Sequence, residues 1–513
     1  MAKARSALPL LGPALAALLA APAARAEWRF SPMVDWRETW TDNVNQAPAG
    51  EERSRLVTMV TPGFTLVNET PRLKFSATYQ LNLYGYSGGR SDNTNSHTST
   101  LRADAKARLA GDWLFMDASA NIQQLATSAF GPQGSGSGYS NANSDEMRSY
   151  RISPYVRHAF GSTATAELRY VHDWVNSDAF GFGISNGDTI SLLLASGPSF
   201  RKVGWSLSAS HQDIDDSAAA KSTIDIANVG LNYQLSSQLN VSLGGGYDKY
   251  DYNSLGGVTK GASWSAGLRW NPSARTSVEA RAGHRFYGPS YLLTLQHRSR
   301  GTIWNINYDD AVTNTRSQLV LPATVNTASL LDRLFSASVP DPLQRAAVIQ
   351  AYMAAANLPI SLPNAINYLS NRYVLQRQFQ ASVATKLAKS TAMFSIFRTK
   401  REALSIVQTD SALLGSQLAN LNDNTDQKGV NASLSYQLGP RSQATVSATA
   451  YRAESLSTDR VDNNRQFSLF LTRQFSARLS ALAEVRRVNG HSVGVGARKY
   501  TENALSAGLS MKF

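Results

Sequence analysis

The sequence predicts an all-β chain, a single transmembrane antiparallel up-and-down β-barrel of about 22 strands (about 20–24) with a partly helical insert on its long-loop side. Three observations predict it. Apolar and polar residues alternate in segment after segment from Trp28 to Phe513, the connections between segments are by turns short and long, and no run of about 18 apolar residues follows the leader. A helical membrane protein would not combine 42% hydrophobic residues with a mean hydropathy of -0.26. A barrel does, because only every second strand residue faces lipid.

The chain opens with Lys3 and Arg5, an apolar run from Ala7 to Ala20, and the A-x-A site Ala24-Arg25-Ala26. This is a signal peptide over residues 1–26, cleaved before Glu27, so residues 27–513 form the exported unit. The run is broken by Pro9, Gly12 and Pro13 and is too short for the roughly 20-residue span of a bilayer helix. Export and barrel together place the protein in a bacterial outer membrane.

The strand template is Leu73, Phe75, Ala77, Tyr79, Leu81 and Leu83, alternating with Lys74, Ser76, Thr78, Gln80 and Asn82. Period two puts one set on lipid and the other inside. It recurs at Leu101–Leu109, Ala164–Tyr170, Ala262–Trp270 and Val430–Leu438, and in the terminal strand Leu505, Ala507, Leu509, Met511 and Phe513. Short connections include Ala110-Gly111-Asp112, Gly161-Ser162, Asn271-Pro272-Ser273 and Gly439-Pro440-Arg441. Long ones run from Thr41 to Arg53, Gly85 to His97, Leu125 to Arg148, Ser177 to Asp188, Gln408 to Gln427 and Gly490 to Tyr500. Short periplasmic turns and long outer loops are the pattern of bacterial barrels. The nine tryptophans gather near strand ends, as interfacial girdles or as ordinary strand formers.

The insert is the stretch 314–371. Within it Asp341, Pro342 and Gln344 have the spacing of an N-cap, a first helical position and a capping box, so a helix is expected to run to about Ala356. A shorter helix around Leu330, Leu331, Leu334 and Phe335 precedes it. Strand parity puts the insert outside the cell. It either caps the rim, the reading favoured here, or folds inward as a constriction.

Inner faces carry an acid-x-base spacing: Asp104 with Lys106, Glu167 with Arg169, Glu279 with Arg281, and Glu484 with Arg486. Residues two apart on a strand are neighbours on one wall. The spacing fits wall-stabilising ion pairs better than a ladder that screens permeants. Lys74, Arg102, Arg108, Arg269 and Arg285 lack such a partner and would bias a pore toward anions. The formal charge of +13 loses three with Lys3, Arg5 and Arg25. Bases interleave with acids along strands, which argues against nucleic acid as a partner.

Cysteine is absent, the seven histidines are dispersed, and no H-E-x-x-H or G-x-S-x-G setting occurs. Neither enzymatic activity nor a cofactor is expected. Expected partners are outer-membrane lipid and lipopolysaccharide.

At Arg37-Glu38-Thr39-Trp40-Thr41-Asp42-Asn43-Val44-Asn45 the opening strand resembles the PEP-CTERM system-associated outer-membrane proteins. Asp112-Trp113-Leu114-Phe115-Met116-Asp117-Ala118-Ser119-Ala120, Ser128-Ala129-Phe130-Gly131-Pro132-Gln133 and Leu509-Ser510-Met511-Lys512-Phe513 carry the same likeness. The resemblance implies a barrel beside exosortase and exopolysaccharide loci that moves polymer or sorted protein across the outer membrane, with exopolysaccharide or periplasmic export components as partners. It supplies no catalytic or ligand residues. The terminal strand ending in Phe513 also resembles the signal read by the barrel-assembly machinery. The leading expectation is therefore an export channel. A non-conducting structural or adhesive barrel is the alternative, and a general porin or an outer-membrane hydrolase ranks lower. A TonB-dependent transporter is disfavoured because strand pattern begins at Trp28, leaving no room for a plug.

Overall fold

The computed structural model describes residues 28–513, apart from 91–92, 133–137, 142, 178–182, 218–219, 321–326, 337–338, 340–344, 346–347, 350–351, 354–371, 406–423 and 495. The expected signal peptide lies outside the described residues.

Twenty-two antiparallel strands make one sheet. They are β1 Arg29–Thr41, β2 Arg55–Glu69, β3 Leu73–Tyr86, β4 His97–Ala110, β5 Leu114–Ala126, β6 Ser144–Phe160, β7 Ala164–Ser177 and β8 Gly183–Ser196. There follow β9 Val203–Asp216, β10 Ser222–Gln234, β11 Leu239–Asp251, β12 Lys260–Ser273, β13 Thr276–Arg285, β14 Gly288–Arg298 and β15 Thr302–Thr313. Last come β16 Val374–Lys386, β17 Ser390–Ala403, β18 Thr425–Gly439, β19 Ser442–Ser455, β20 Val461–Gln474, β21 Leu479–Val493 and β22 Lys499–Lys512. Between β15 and β16 lie two short helices, α1 Thr315–Val320 and α2 Thr327–Phe335.

Each strand pairs with the next, and β22 returns to β1 from Thr41↔Ala504 to Met33↔Lys512. Closure is forced: in hydrocarbon each unpaired N–H or C=O would cost several kcal/mol. Phe513 stands one residue beyond β22, yet its N–H still bonds Pro32 O at 3.0 Å.

Register sorts the side chains cleanly. Trp36, Val60 and Leu83 are cross-strand neighbours on one face, and Leu505, Leu509, Trp264, Leu243 and Phe467 share that face around the ring; all are exposed, as lipid-facing residues should be. At the end holding both termini, Trp113, Phe160, Tyr233, Trp270, Phe475 and Phe513 are exposed beside the short turns, the placement an aromatic girdle requires. The turns are tight: Thr163 N bonds Phe160 O at 3.1 Å, and Gly161 takes a φ of 56° there.

Two segments read as loop are strand. β8 begins at Gly183 rather than after Asp188, and β6 begins at Ser144 rather than after Arg148. Ser185, Asn186 and Asp188 are polar yet lie in ladder with Val175, Trp174 and His172. Backbone pairing continues past the apolar belt, where side-chain polarity no longer reports on it.

Candidate functional site: the lumen and the insert within it

Cross-strand register puts all thirteen predicted lumen charges on the face opposite the exposed aromatics, and it also shows what they meet. Arg169 binds Glu167 at 3.0 Å and Asp117 at 3.0 Å, while Arg157 reaches Glu167 at 2.6 Å. The Arg169 guanidinium also lies 3.8 Å from the Tyr155 ring centroid. Glu279 pairs with Arg281 at 3.5 Å, as expected, but more closely with Arg269 across the strand at 2.8 Å. Asp104 is met by Arg102 at 3.7 Å, and Lys106 lies directly opposite Lys74.

The expectation of five unpaired bases is thereby corrected for four of them. Arg102 and Arg269 have the partners just named, Arg108 holds Asp112 at 2.8 Å, and Arg285 grips the buried Asp248 through two bonds of 2.9 and 2.6 Å. Asp248 sits two strands away on β11, and Asp112 is in a turn. Neither position stands two residues from its base along one strand. Most of these pairs are half-exposed and worth roughly 0–1 kcal/mol each.

The thirteen charges lie on β3, β4, β7, β12, β13 and β21. On β15–β20 the same face, which also holds Asp309, Lys386, Arg401 and Asp462, carries a run of neutral polar residues: Asn305, Gln380, Ser382, Ser395, Thr399, Gln427, Asn431, Ser433, Ser447 and Ser468, all buried. That burial has a visible source. Leu330, Leu331, Leu334 and Phe335 of α2, with Ile349, Tyr352 and Met353 beyond it, form one apolar cluster with Ile303, Ala384 and Met393. The last three are successive cross-strand neighbours on β15, β16 and β17, on the inner face. Tyr352 Oη lies 3.1 Å from Ser433 Oγ, the next residue in that row.

The insert therefore folds inward, and the rim-capping reading is corrected. The shorter predicted helix is α2. Arg345, Val348, Ile349, Tyr352 and Met353 are helical, as expected of the longer one, while Asp341, Pro342 and Gln344 lie outside the described residues.

α1 was not predicted. Asn314 caps it, its Oδ1 accepting from Ser317 N at 2.8 Å. Gln318 Nε2 donates to Gln376 Oε1 of β16 at 3.0 Å, while Leu319 packs on Leu125, Met147 and Val175 of β5, β6 and β7. β16 and β5 are eleven steps apart in a ring of twenty-two, so α1 bridges opposite walls. A buried ion pair of Arg316 with Asp173 pins it to β7. Opposite Asp173 is Gly187, where a Cβ would run into the Arg316 guanidinium.

A second obstruction enters at the long-loop end. Between β5 and β6 the connection reaches inward, so that Tyr139 Oη donates to Glu502 Oε1 at 2.6 Å and accepts from Arg486 Nη2 at 2.7 Å. Arg486 also binds Glu502 at 2.9 Å and Glu484 at 3.7 Å, and Gln46 Nε2 donates to Glu502 Oε2 at 2.7 Å. Thr39 and Ser506 hydroxyls meet at 2.9 Å, where β1 and β22 close the ring. The network braces that seam from inside. Burial pushes the Tyr139 phenol well above its ordinary range.

The terminal-strand residues Leu505, Ala507, Leu509, Met511 and Phe513 are exposed on the outer side. Sequence spacing missed Asp117, Asp173, Asp248, Arg316, Tyr139 and Glu502, whose partners lie on other strands or in the insert.

No family model matches the chain, and no curated protein matches it in sequence. Among solved structures it is similar to the FrpB iron transporter (F5-1 variant) of Neisseria meningitidis, with 10% identity, 94% of this chain and 82% of that one covered, and a TM-score of 0.49. It is similar also to the siderophore receptor PirA of Pseudomonas aeruginosa, with 10% identity, coverage of 96% and 82%, and a TM-score of 0.45. To OccAB4 of Acinetobacter baumannii it has 8% identity, coverage of 96% and 100%, and a TM-score of 0.36. Identities and superpositions at this level say nothing of what this barrel carries.

Proposed function

We propose that the chain is an outer-membrane channel, exported through a cleaved signal peptide, whose lumen is closed at rest by residues 314–371. One observation carries the reading: apolar side chains of α2 and of the helical residues beyond it are packed against a polar inner wall. Asn305, Ser382, Ser395 and Asn431 hold buried side-chain oxygens without a partner among the described residues. Such groups are costly to cover and are satisfied when water replaces the helix. A barrel of this width would pass water freely if its lumen were clear, since 16- to 18-stranded barrels already do.

On this reading lipid and lipopolysaccharide contact the exposed aromatic and aliphatic face, and the barrel-assembly machinery takes the strand from Leu505 to Phe513. Exopolysaccharide or sorted protein, supplied by a PEP-CTERM (exosortase) export system, is the proposed cargo, on the resemblance of the opening strand. Polymerase and exosortase genes beside this one would support that assignment, and a neighbourhood without them removes it.

Planar-bilayer recording tests the channel. Deleting 314–371 should raise single-channel conductance several-fold over the full chain; equal conductance overturns the gate. Silence from both forms would favour the non-conducting structural or adhesive barrel.

A further inference from the structure

The geometry points to a phosphate-binding surface for lipopolysaccharide on the outer wall of β18–β21, made by Lys428, Arg452, Arg465 and Arg487. Register sets all four on the lipid side. Arg487 is the ladder partner of Phe467, which is exposed on the outer face, and Arg465 stands two residues from Phe467 on the same strand. Arg452 lies opposite Asn463, two residues beyond Arg465, and Lys428 lies directly opposite Arg452. Each cation is therefore a direct or diagonal neighbour of the next, within about 8 Å. All four are exposed.

Their height decides what they meet. They stand eight to eleven residues from the short-turn ends of their strands at Gly439, Ser442, Gln474 and Leu479. A transmembrane strand needs roughly 9–11 residues, so the four lie at the outer edge of the hydrocarbon, above the exposed Leu434, Phe467, Leu471 and Val485. Lys428, Arg465 and Arg487 form no ion pair among the described residues, while Arg452 holds Glu454 at 3.2 Å. Asp426, two residues from Lys428, is taken by Arg398 through bonds of 3.0 and 2.6 Å. Like charges opposite each other in a ladder repel, and guanidinium forks match the paired oxygens of a phosphate. The simpler account is that basic side chains snorkel at any bilayer edge. It expects bases all round the ring. Nearly opposite, at the same height on β9 and β10, the outward residues are instead Asp213 and Asp225, bridged by His211 at 3.2 and 2.6 Å. A soluble polyanion has no use for apolar rungs beneath its site, whereas a phosphorylated glycolipid lays its acyl chains on them. The assignment rests on the reading that lipopolysaccharide covers the outer face, and is independent of the gate.

Fluorescence anisotropy of labelled diphosphoryl lipid A, titrated with the full chain folded in detergent, tests the surface. We expect saturable binding, weakened at least tenfold in R452Q/R465Q/R487Q and at least tenfold for lipid A stripped of both phosphates. It should be unchanged in K249Q, which removes an outward base beside Asp225 on the acidic side. The heat-dependent gel shift of a folded barrel verifies each variant, and the phosphate-free lipid tests the wild-type chain itself. Undiminished binding in the triple variant overturns the site, as does equal affinity for the phosphate-free lipid. Equal weakening in K249Q reduces it to diffuse attraction and overturns it too, and displacement of lipid A by soluble alginate at equal affinity overturns it in favour of a polymer-binding wall. Quenching of tryptophan fluorescence by brominated phospholipid separates the two readings. A quenched barrel without the expected lipid A binding loses this surface alone, while an unquenched one loses the lipid-facing wall on which it rests.

Discussion

Arg486 is 2% exposed and is held between Glu484 and Glu502, with Tyr139 over it. Replacing it by Met leaves the buried Glu502 without its cation and Glu484 with Arg37 alone, at 3.6 Å, a loss of about 3–5 kcal/mol. The R486M barrel should unfold in detergent at clearly lower temperature than wild type. E502Q keeps the shape of the site and should lose less. Tyr139 adds a pH dependence whose sign follows from its raised pKa. A phenol that ionises later in the folded state than in the unfolded one contributes stability that is complete below about pH 10 and declines as alkali ionises it. The wild-type advantage over Y139F should therefore be constant through neutral pH and shrink in alkali; an advantage that grows there would contradict the assignment. Spacing disclosed Glu484 with Arg486 because both lie on β21. It could not disclose Glu502 or Tyr139, which stand 16 and 347 positions from Arg486: Glu502 meets it across the β21–β22 pair, and Tyr139 reaches it from the β5–β6 connection only once the ring has closed.

The insert shows what an element's sequence carries and what it does not. Leu330, Leu331, Leu334 and Phe335 announce an amphipathic helix, since their spacing makes one apolar stripe. Where that stripe goes depends on Ile303, Ala384 and Met393, three residues on three strands whose alignment is a property of the sheet. α1 was illegible for the same reason. It is six residues long, carries no apolar periodicity, and is held by Asn314 at its start and by Asp173 across the barrel. Two substitutions separate the helices. L331D places a charge in the dry cluster under α2 and should raise conductance while lowering thermal stability by a few kcal/mol. G187A crowds the Arg316 guanidinium away from Asp173 and should loosen α1 alone, read as increased cleavage between β15 and β16 by added protease, with the strands intact. Wild-type resistance in G187A would show that the ion pair does not fasten the strap.

At the scale of the molecule, the barrel was legible throughout because its information is redundant: alternation repeats in every strand, and one misjudged boundary does not change the closed sheet. Lumen electrostatics are not redundant. Sequence spacing suggested a wall biased toward anions, but four of those five bases have acidic partners along or across strands, leaving Lys74 opposite Lys106 as the clearest like-charged pair. The open channel should accordingly show only a mild anion preference in a salt gradient. K74E should shift its reversal potential toward cations, and no shift would place the conducting path elsewhere. The neutral polar residues of β15–β20 that lie behind the insert should influence selectivity only after the insert has left.

Thr313 and Val374, the residues flanking the insert, are ladder partners at the same mouth of the barrel. On the proposed channel reading, a plug joined to its cylinder by two adjacent stalks can be drawn out as a loop, like a hinged stopper, with no chain end to thread and no rung of the sheet to break. Clearing the conduit would then cost the docking contacts of α2 and the grip of Arg316, while the wall that keeps the membrane sealed stays whole.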